Sequence, residues 1–124
     1  MTENKTTPLD VAKLIANKNV VALFQGRSEA GYRALGNRSI LYDPRDPKGK
    51  DTVNLVKQRE SFRPFAASVM LEHVHDWFDM QGLEDSPFMM FAVNVFQDKQ
   101  KLIPCVTHVD STCRIQTVSQ KAKI

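Results

Sequence analysis

Three segments of this sequence gather side chains that bind oxyanions. The first, GRSEAGYRALGNRSI (26–40), sets Arg27, Arg33 and Arg38 among three glycines and one asparagine. Glycine permits tight turns and close approach of a ligand to the backbone. A guanidinium grips phosphate or carboxylate through two parallel hydrogen bonds. Backbone N–H groups combined with guanidiniums would suit a phosphate or an acyl phosphate. The run is neither a Walker A loop nor a G-x-G-x-x-G dinucleotide turn, and its bland alternative is an exposed basic loop.

The second segment, VKQRESFRPFA (56–66), brings Lys57, Arg59 and Arg63 together. Lys57 and Arg59 do not share a helix face, so one is expected to point to a ligand and the other to Glu60 or solvent. A helix-end salt-bridge cluster is the alternative. The third, THVDSTCRIQTV (107–118), places Thr107, His108, Asp110, Ser111, Thr112 and Arg114 beside a strand. A period of two would present His108, Asp110 and Thr112 on one face. Residues this close on one strand cannot form the nucleophile, base and orienter of a Ser-His-Asp triad. His73 and His75 look like a metal pair but diverge on the helix expected there, so no metal ligand set is expected. Phe88, Met89, Met90 and Phe91 read as core.

Charge distribution singles out the same region. The net charge of +3 is too mild to imply a nucleic-acid partner. Yet six of the seven arginines fall between Arg27 and Arg63, whereas Glu72 to Asp85 holds five acids and no Lys or Arg. Hydrophobic content of 42% with 25% charged residues argues against disorder. No apolar run approaches the ~20 residues of a membrane helix, and the polar start is no signal peptide, so a cytoplasmic setting is expected. Cys105 and Cys113 are then expected as buried thiols rather than a disulfide.

Short elements must position these segments. PLDVAKLIANKN predicts an amphipathic helix, and VVALFQ and SILYD predict strands on either side of the glycine-arginine run. Asp51 is the expected N-cap of a helix over TVNLVKQRE, ended by the residue before Pro64. AASVM, FMMFAVNVF, CVTHVD and CRIQTV read as strands, LEHVHDWFDM as a short helix, and 97–101 as a polar link. The class is α/β, with α+β the variant, and a sheet of these strands would leave an edge needing a partner.

With the three segments set in order, FQGRSEAGYRALGNRSILYDPRDP, VNLVKQRESFRPFAASV and IPCVTHVDSTCRIQTVS, the sequence resembles the C-terminal domain of nodulation-type and antibiotic-tailoring O-carbamoyltransferases, over roughly Val20 to Ser119. The resemblance implies a YrdC-like twisted mixed sheet with flanking helices. It implies binding of ATP and carbamoyl phosphate, with magnesium as a companion ion, and formation of carbamoyl-adenylate with loss of inorganic phosphate and pyrophosphate. A Kae1-like partner domain carrying an iron site would then transfer the carbamoyl group to an acceptor hydroxyl. Arg33, Arg38, Lys57, Arg63 and Arg114 are implied as phosphate-binding, His108 and Asp110 as lining the same pocket, and Lys57, Arg63 and His108 as the catalytic group. Tyr32 stands where the family has proline, Ser111 where it has glycine, and Cys113 where a small residue is common.

Neither the Kae1-like domain nor the family's later segment with an Asn-Thr-Ser-Phe-Asn motif is in this sequence. The expectation is a single partial domain, 1–124 with its core at 20–119, that works with a partner chain or a missing C-terminal segment. The alternatives are a non-catalytic phosphate- or nucleotide-binding remnant and an RNA-associated accessory module. The RNA reading draws on the pI of about 9.0. The arginines cluster with glycines rather than with exposed aromatics, which counts against it.

Overall fold

Thr7 opens the first helix with a reciprocal cap: its hydroxyl accepts from the Asp10 backbone N–H, and the Asp10 carboxylate accepts from the Thr7 N–H. Helix α1 runs Pro8–Ala16 and stops at Asn17, as PLDVAKLIANKN predicts. The computed structural model describes residues 6–31 and 33–119. Tyr32 and the closing residues 120–124 lie outside that range.

Strands β1 (Val21–Ala22) and β2 (Ile40–Leu41) pair antiparallel. They are shorter than VVALFQ and SILYD suggest, but backbone bonds from Leu23 N to Ser39 O and from Gln25 N to Asn37 O prolong the ladder. The glycine-arginine run is therefore the closed end of a hairpin. Gly26, Gly31 and Gly36 all have positive φ (56°, 128° and 115°), a region that side chains with a Cβ rarely enter. Helix α2 spans Gly49–Val56. It begins before Asp51, which sits in its first turn and is not the cap. It also ends well before Pro64, because Gln58 turns to φ 53° and reverses the chain.

The sheet is mixed, in the order β3 (Ala66–Met70), β6 (Thr112–Val118), β5 (Ala92–Val95), β4 (Phe78–Asp79). Strand β3 runs parallel to β6, and the other neighbours are antiparallel. This is an α/β arrangement. A 3-10 turn, Leu71–His73, and the one-turn helix α3, Val74–Trp77, join β3 to β4. The core lies on one sheet face, where Cys113 and Ile115 of β6 meet Val93, Val95, Phe78 and Val74. Alternation along β6 sends Thr112, Arg114 and Gln116 to the other face.

Two further expectations fail. CVTHVD is not a strand: Cys105 and Val106 lie in a turn, and His108 to Thr112 closes another through bonds from Ser111 N to His108 O and from His108 N to Thr112 O. Asp110 causes this, since its carboxylate accepts from the Thr112 N–H two residues on and competes with a ladder. The Phe88–Phe91 run is not core either, with Phe88 63% and Met90 73% exposed. Met89 adopts φ 55°, so regular pairing starts only at Ala92, and Phe78 and Met80 fill the interior instead.

Candidate functional site

The face of the sheet away from the core is built from small and polar residues. Arg114 stands opposite Ala66 on one side and Ala92 on the other. Gln116 follows on the same face, opposite Ser68. Its side-chain amide donates to Leu35 O at 3.1 Å, and this contact ties the glycine-arginine hairpin to Arg114's side of the sheet.

Ala66, which faces Arg114, follows directly on the turn after α2. Asn54 is 1% exposed, and its Nδ2 donates to Ser61 O at 3.2 Å and to Arg63 O at 3.1 Å. Its Oδ1 accepts from Arg59 Nε at 2.6 Å. The Arg59 guanidinium also stacks on the Phe65 ring, 4.6 Å from the centroid. Arg59 is thus a half-buried strut and Lys57 is exposed, while Glu60 meets Arg63, at 3.8 Å and well exposed. Lys57 has its pKa pushed below the ordinary lysine range, first by partial burial and then by the positive charges of Arg59 and Arg63. Three cations therefore share one turn with one carboxylate among them.

His108 adjoins the same turn through Phe65. Its Nε2 lies 3.1 Å from Phe65 O. A carbonyl can only accept, so Nε2 carries a hydrogen. On the other side Nδ1 lies 3.4 Å from Thr112 Oγ1, which donates to Asp110 Oδ1 at 2.6 Å. Thr112 has a single hydroxyl hydrogen, and the short bond to Asp110 claims it. Nδ1 completes the chain as a donor when His108 is protonated. Asp110 is held below the ordinary carboxylate range by the Thr112 hydroxyl and backbone N–H, with a further contribution from His108. The order Phe65, His108, Thr112, Asp110 arises from a turn rather than from strand alternation.

The hairpin disposes of its charges differently. Arg38 donates from one terminal nitrogen to Gln25 O and Asn37 O, and from the other to Gly26 O. It also lies 3.6 Å over the Phe24 ring. Glu29, which sequence reasoning passed over, fills the cradle of backbone N–H groups: its Oε1 accepts from Leu35 N at 2.9 Å and from Asn37 N at 2.7 Å. Those bonds, Asn37's first, depress its carboxyl pKa. Arg27 and Arg33 are exposed. Beyond the hairpin, Arg45 binds the buried Asp43 through Nε at 2.9 Å and a terminal nitrogen at 2.7 Å. Both cysteines are free and buried, and burial raises the Cys113 thiol to about 12.

The structure thus gathers Lys57, Arg59 and Arg63 on one turn, sets His108 against that turn's exit through Phe65 O with Asp110 linked through Thr112, and holds Arg114 opposite Ala66, three residues past Arg63. Two open cavities lie elsewhere. One of about 480 Å³ is bordered by His75, Asp79 and Glu84, and one of about 340 Å³ by Glu29, Asp85, Phe88 and Gln116. Both are lined by carboxylates, so neither suits an anion. Among the described residues no grouping of three or more His, Cys, Asp or Glu side chains would hold a metal ion. No helix of the described residues is long and apolar enough to cross a membrane.

These features define an α/β module with a cationic turn before its parallel edge strand. The family model for the carbamoyltransferase C-terminus matches residues 12–124, and the chain belongs to that family. It is 50% identical over 112 residues to nodulation protein NolO of Bradyrhizobium diazoefficiens, covering 89% of this chain and 20% of that protein. Nodulation protein NolNO of Sinorhizobium fredii is 50% identical over 111 residues, covering 88% of this chain and 16% of that protein. Nodulation protein U of the same species is 39% identical over 114 residues, covering 92% and 20%. The chain spans a fifth or less of the length of these relatives.

Proposed function

We propose that this chain is the phosphate-handling part of a carbamoyltransferase, binding carbamoyl phosphate and ATP on the sheet face that carries Arg114. One observation supports the reading above the rest: Lys57, Arg59 and Arg63 share a turn with a single carboxylate, and the chain leaving that turn pairs with Arg114 at Ala66. Such a cluster opposes itself until an anion arrives. Both substrates are polyanions, and forming carbamoyl-adenylate consumes one water: inorganic phosphate leaves carbamoyl phosphate, and the carbamate oxygen displaces pyrophosphate from ATP. Charge then spreads over several phosphate oxygens, which fixed guanidiniums and an ammonium stabilise without reorganising.

In this reading Lys57 and Arg63 reach the phosphates from the turn, Arg114 from the sheet and Arg33 from the hairpin. Arg38 holds the hairpin in shape behind Arg33. His108 and Asp110 border the site, and a protonated His108 adds to its positive field. Magnesium would travel with the nucleotide, since the described residues offer no carboxylate set for it. Transfer to an acceptor would fall to a Kae1-like partner with its own iron site, which the large unmatched part of the relatives leaves room for.

Calorimetric titration of the chain with ATP and with carbamoyl phosphate at low salt tests this. Binding that weakens about tenfold or more in Lys57→Ala and in Arg63→Ala is the expected result, the loss of one charge-assisted contact each. A folded sample that gives no heat with either ligand overturns the proposal.

A further inference from the structure

Asn54 is the most buried polar side chain of α2, and all of its hydrogen-bonding capacity is directed at one turn. Two amide hydrogens go to the carbonyls of Ser61 and Arg63, and the amide oxygen takes Arg59 Nε. Its own backbone carbonyl accepts from Arg59 N at 3.1 Å. Gln58, between the helix and these partners, sits at φ 53°. A non-glycine residue at positive φ costs energy and persists only where its surroundings hold it. Four bonds to Asn54 supply that hold.

The turn has little other support. Ser61, Phe62, Arg63 and Pro64 are all exposed, and so are the apolar Leu55 and Val56 at the end of the helix. Three like charges within it favour spreading apart, and Glu60 offsets only one of them. We infer that Asn54 is a positioning residue: it holds the turn after α2 closed, with Arg59 as the strut, so that Lys57 and Arg63 face one bound anion together. No ligand reaches Asn54 itself, since it is buried. It acts through the carbonyls of Ser61 and Arg63 and through the Arg59 guanidinium.

This inference deepens the anion-site reading and rests on it only for its consequence in binding. The test separates the two. In the 124-residue chain, the Lys57 side-chain amine is titrated by NMR of labelled lysine, and ATP affinity is measured alongside. Asn54→Ala should return the Lys57 titration towards the ordinary lysine range, as the opened turn lets water back to the amine and Arg59 and Arg63 drift away, and should weaken ATP at least tenfold. Asn54→Ser, which keeps a polar group but cannot reach both carbonyls, should do the same to a smaller degree and serves if the alanine variant does not fold. Val53→Ala, which truncates the buried neighbour on the same helix, should lower the melting temperature yet leave the Lys57 titration in place. A Lys57 titration unchanged in the Asn54 variants, or moved equally by Val53→Ala, overturns the inference. If the amine responds as expected but the unaltered chain does not bind ATP, positioning stands and the proposed function falls.

Discussion

The hairpin at 26–45 and the turn at 57–63 are both rich in arginine, and they use it in opposite ways. In the first region Arg38, Arg45 and Glu29 are satisfied within the fold, while Arg27 and Arg33 are exposed. Arg38 donates to three backbone carbonyls, Arg45 grips the buried Asp43, and Glu29 occupies the backbone N–H cradle that an external anion would need. In the turn, Arg59 takes a neutral amide oxygen and an aromatic face, and Lys57 loses basicity first to partial burial and then to its cationic neighbours. Residue type is the same in both; what differs is the partner each guanidinium finds. A cluster of arginines marks a ligand site only where the fold leaves the charge uncompensated, so the second region carries the functional reading and the first serves mainly as scaffold.

Damage to the scaffold should therefore show first in stability. Gly49, at the start of α2, packs where a Cβ would lie 3.0 Å from Cys105 Sγ and 3.2 Å from the Tyr42 ring. That contact clasps the end of the hairpin segment to the third segment, reinforced by Cys105 N donating to Pro44 O. Gly49→Val overfills the site and should cost about 1–3 kcal/mol, read as a lower denaturant midpoint. An unchanged midpoint would mean that the clasp is loose and that the hairpin is not the rigid partner in this comparison.

A smaller effect should divide the turn itself. Arg59→Ala removes a hydrogen bond to a buried amide and a stacked ring, about 1–2 kcal/mol of stability. Lys57→Ala should stay within about 0.5 kcal/mol, as surface changes do. Denaturant melts of the two variants decide this. Equal losses would show that Lys57 is also part of the scaffold, and the contrast between the two regions would blur.

Much of this arrangement was legible in the sequence. AASVM and the helix after Pro8 could be read from periodicity and capping, and the glycines of 26–36 announced the positive φ values they adopt. What stayed hidden depended on contacts across the chain. Nothing local to CVTHVD reveals that Asp110 will bond Thr112 and close a turn instead of a strand. Asn54 reads as one polar residue in an amphipathic helix until its burial and its reach to Ser61 and Arg63 are seen. Glu29 was invisible for the opposite reason: it is an unremarkable acid whose role exists only once the hairpin has curled around it. The three segments that carry the cations were found because residue type alone suggested them. Which cations remain available is a tertiary property.

The smallest expected effect concerns that internal carboxylate. Glu29 has a folded pKa below its ordinary value of about 4.3, because the Asn37 and Leu35 N–H groups bond its charged form. A carboxyl depressed in the folded state adds stability that is fully present above the unfolded pKa and is lost as pH falls through the folded one. Glu29→Gln keeps an oxygen acceptor but never carries the charge, so it lacks this term at every pH. The variant should melt slightly below the parent near neutrality, and the two melting temperatures should converge between about pH 5 and pH 3. Asp43, Asp46 and Asp110 are also depressed, by Arg45, Tyr42 and Thr112 respectively. Both proteins therefore lose stability in acid, and only the difference between their curves reports on Glu29. A constant offset across the range would mean that the cradle holds a neutral oxygen as well as a carboxylate. The hairpin would then be shaped by geometry rather than by charge, and an external phosphate could displace Glu29 without electrostatic penalty.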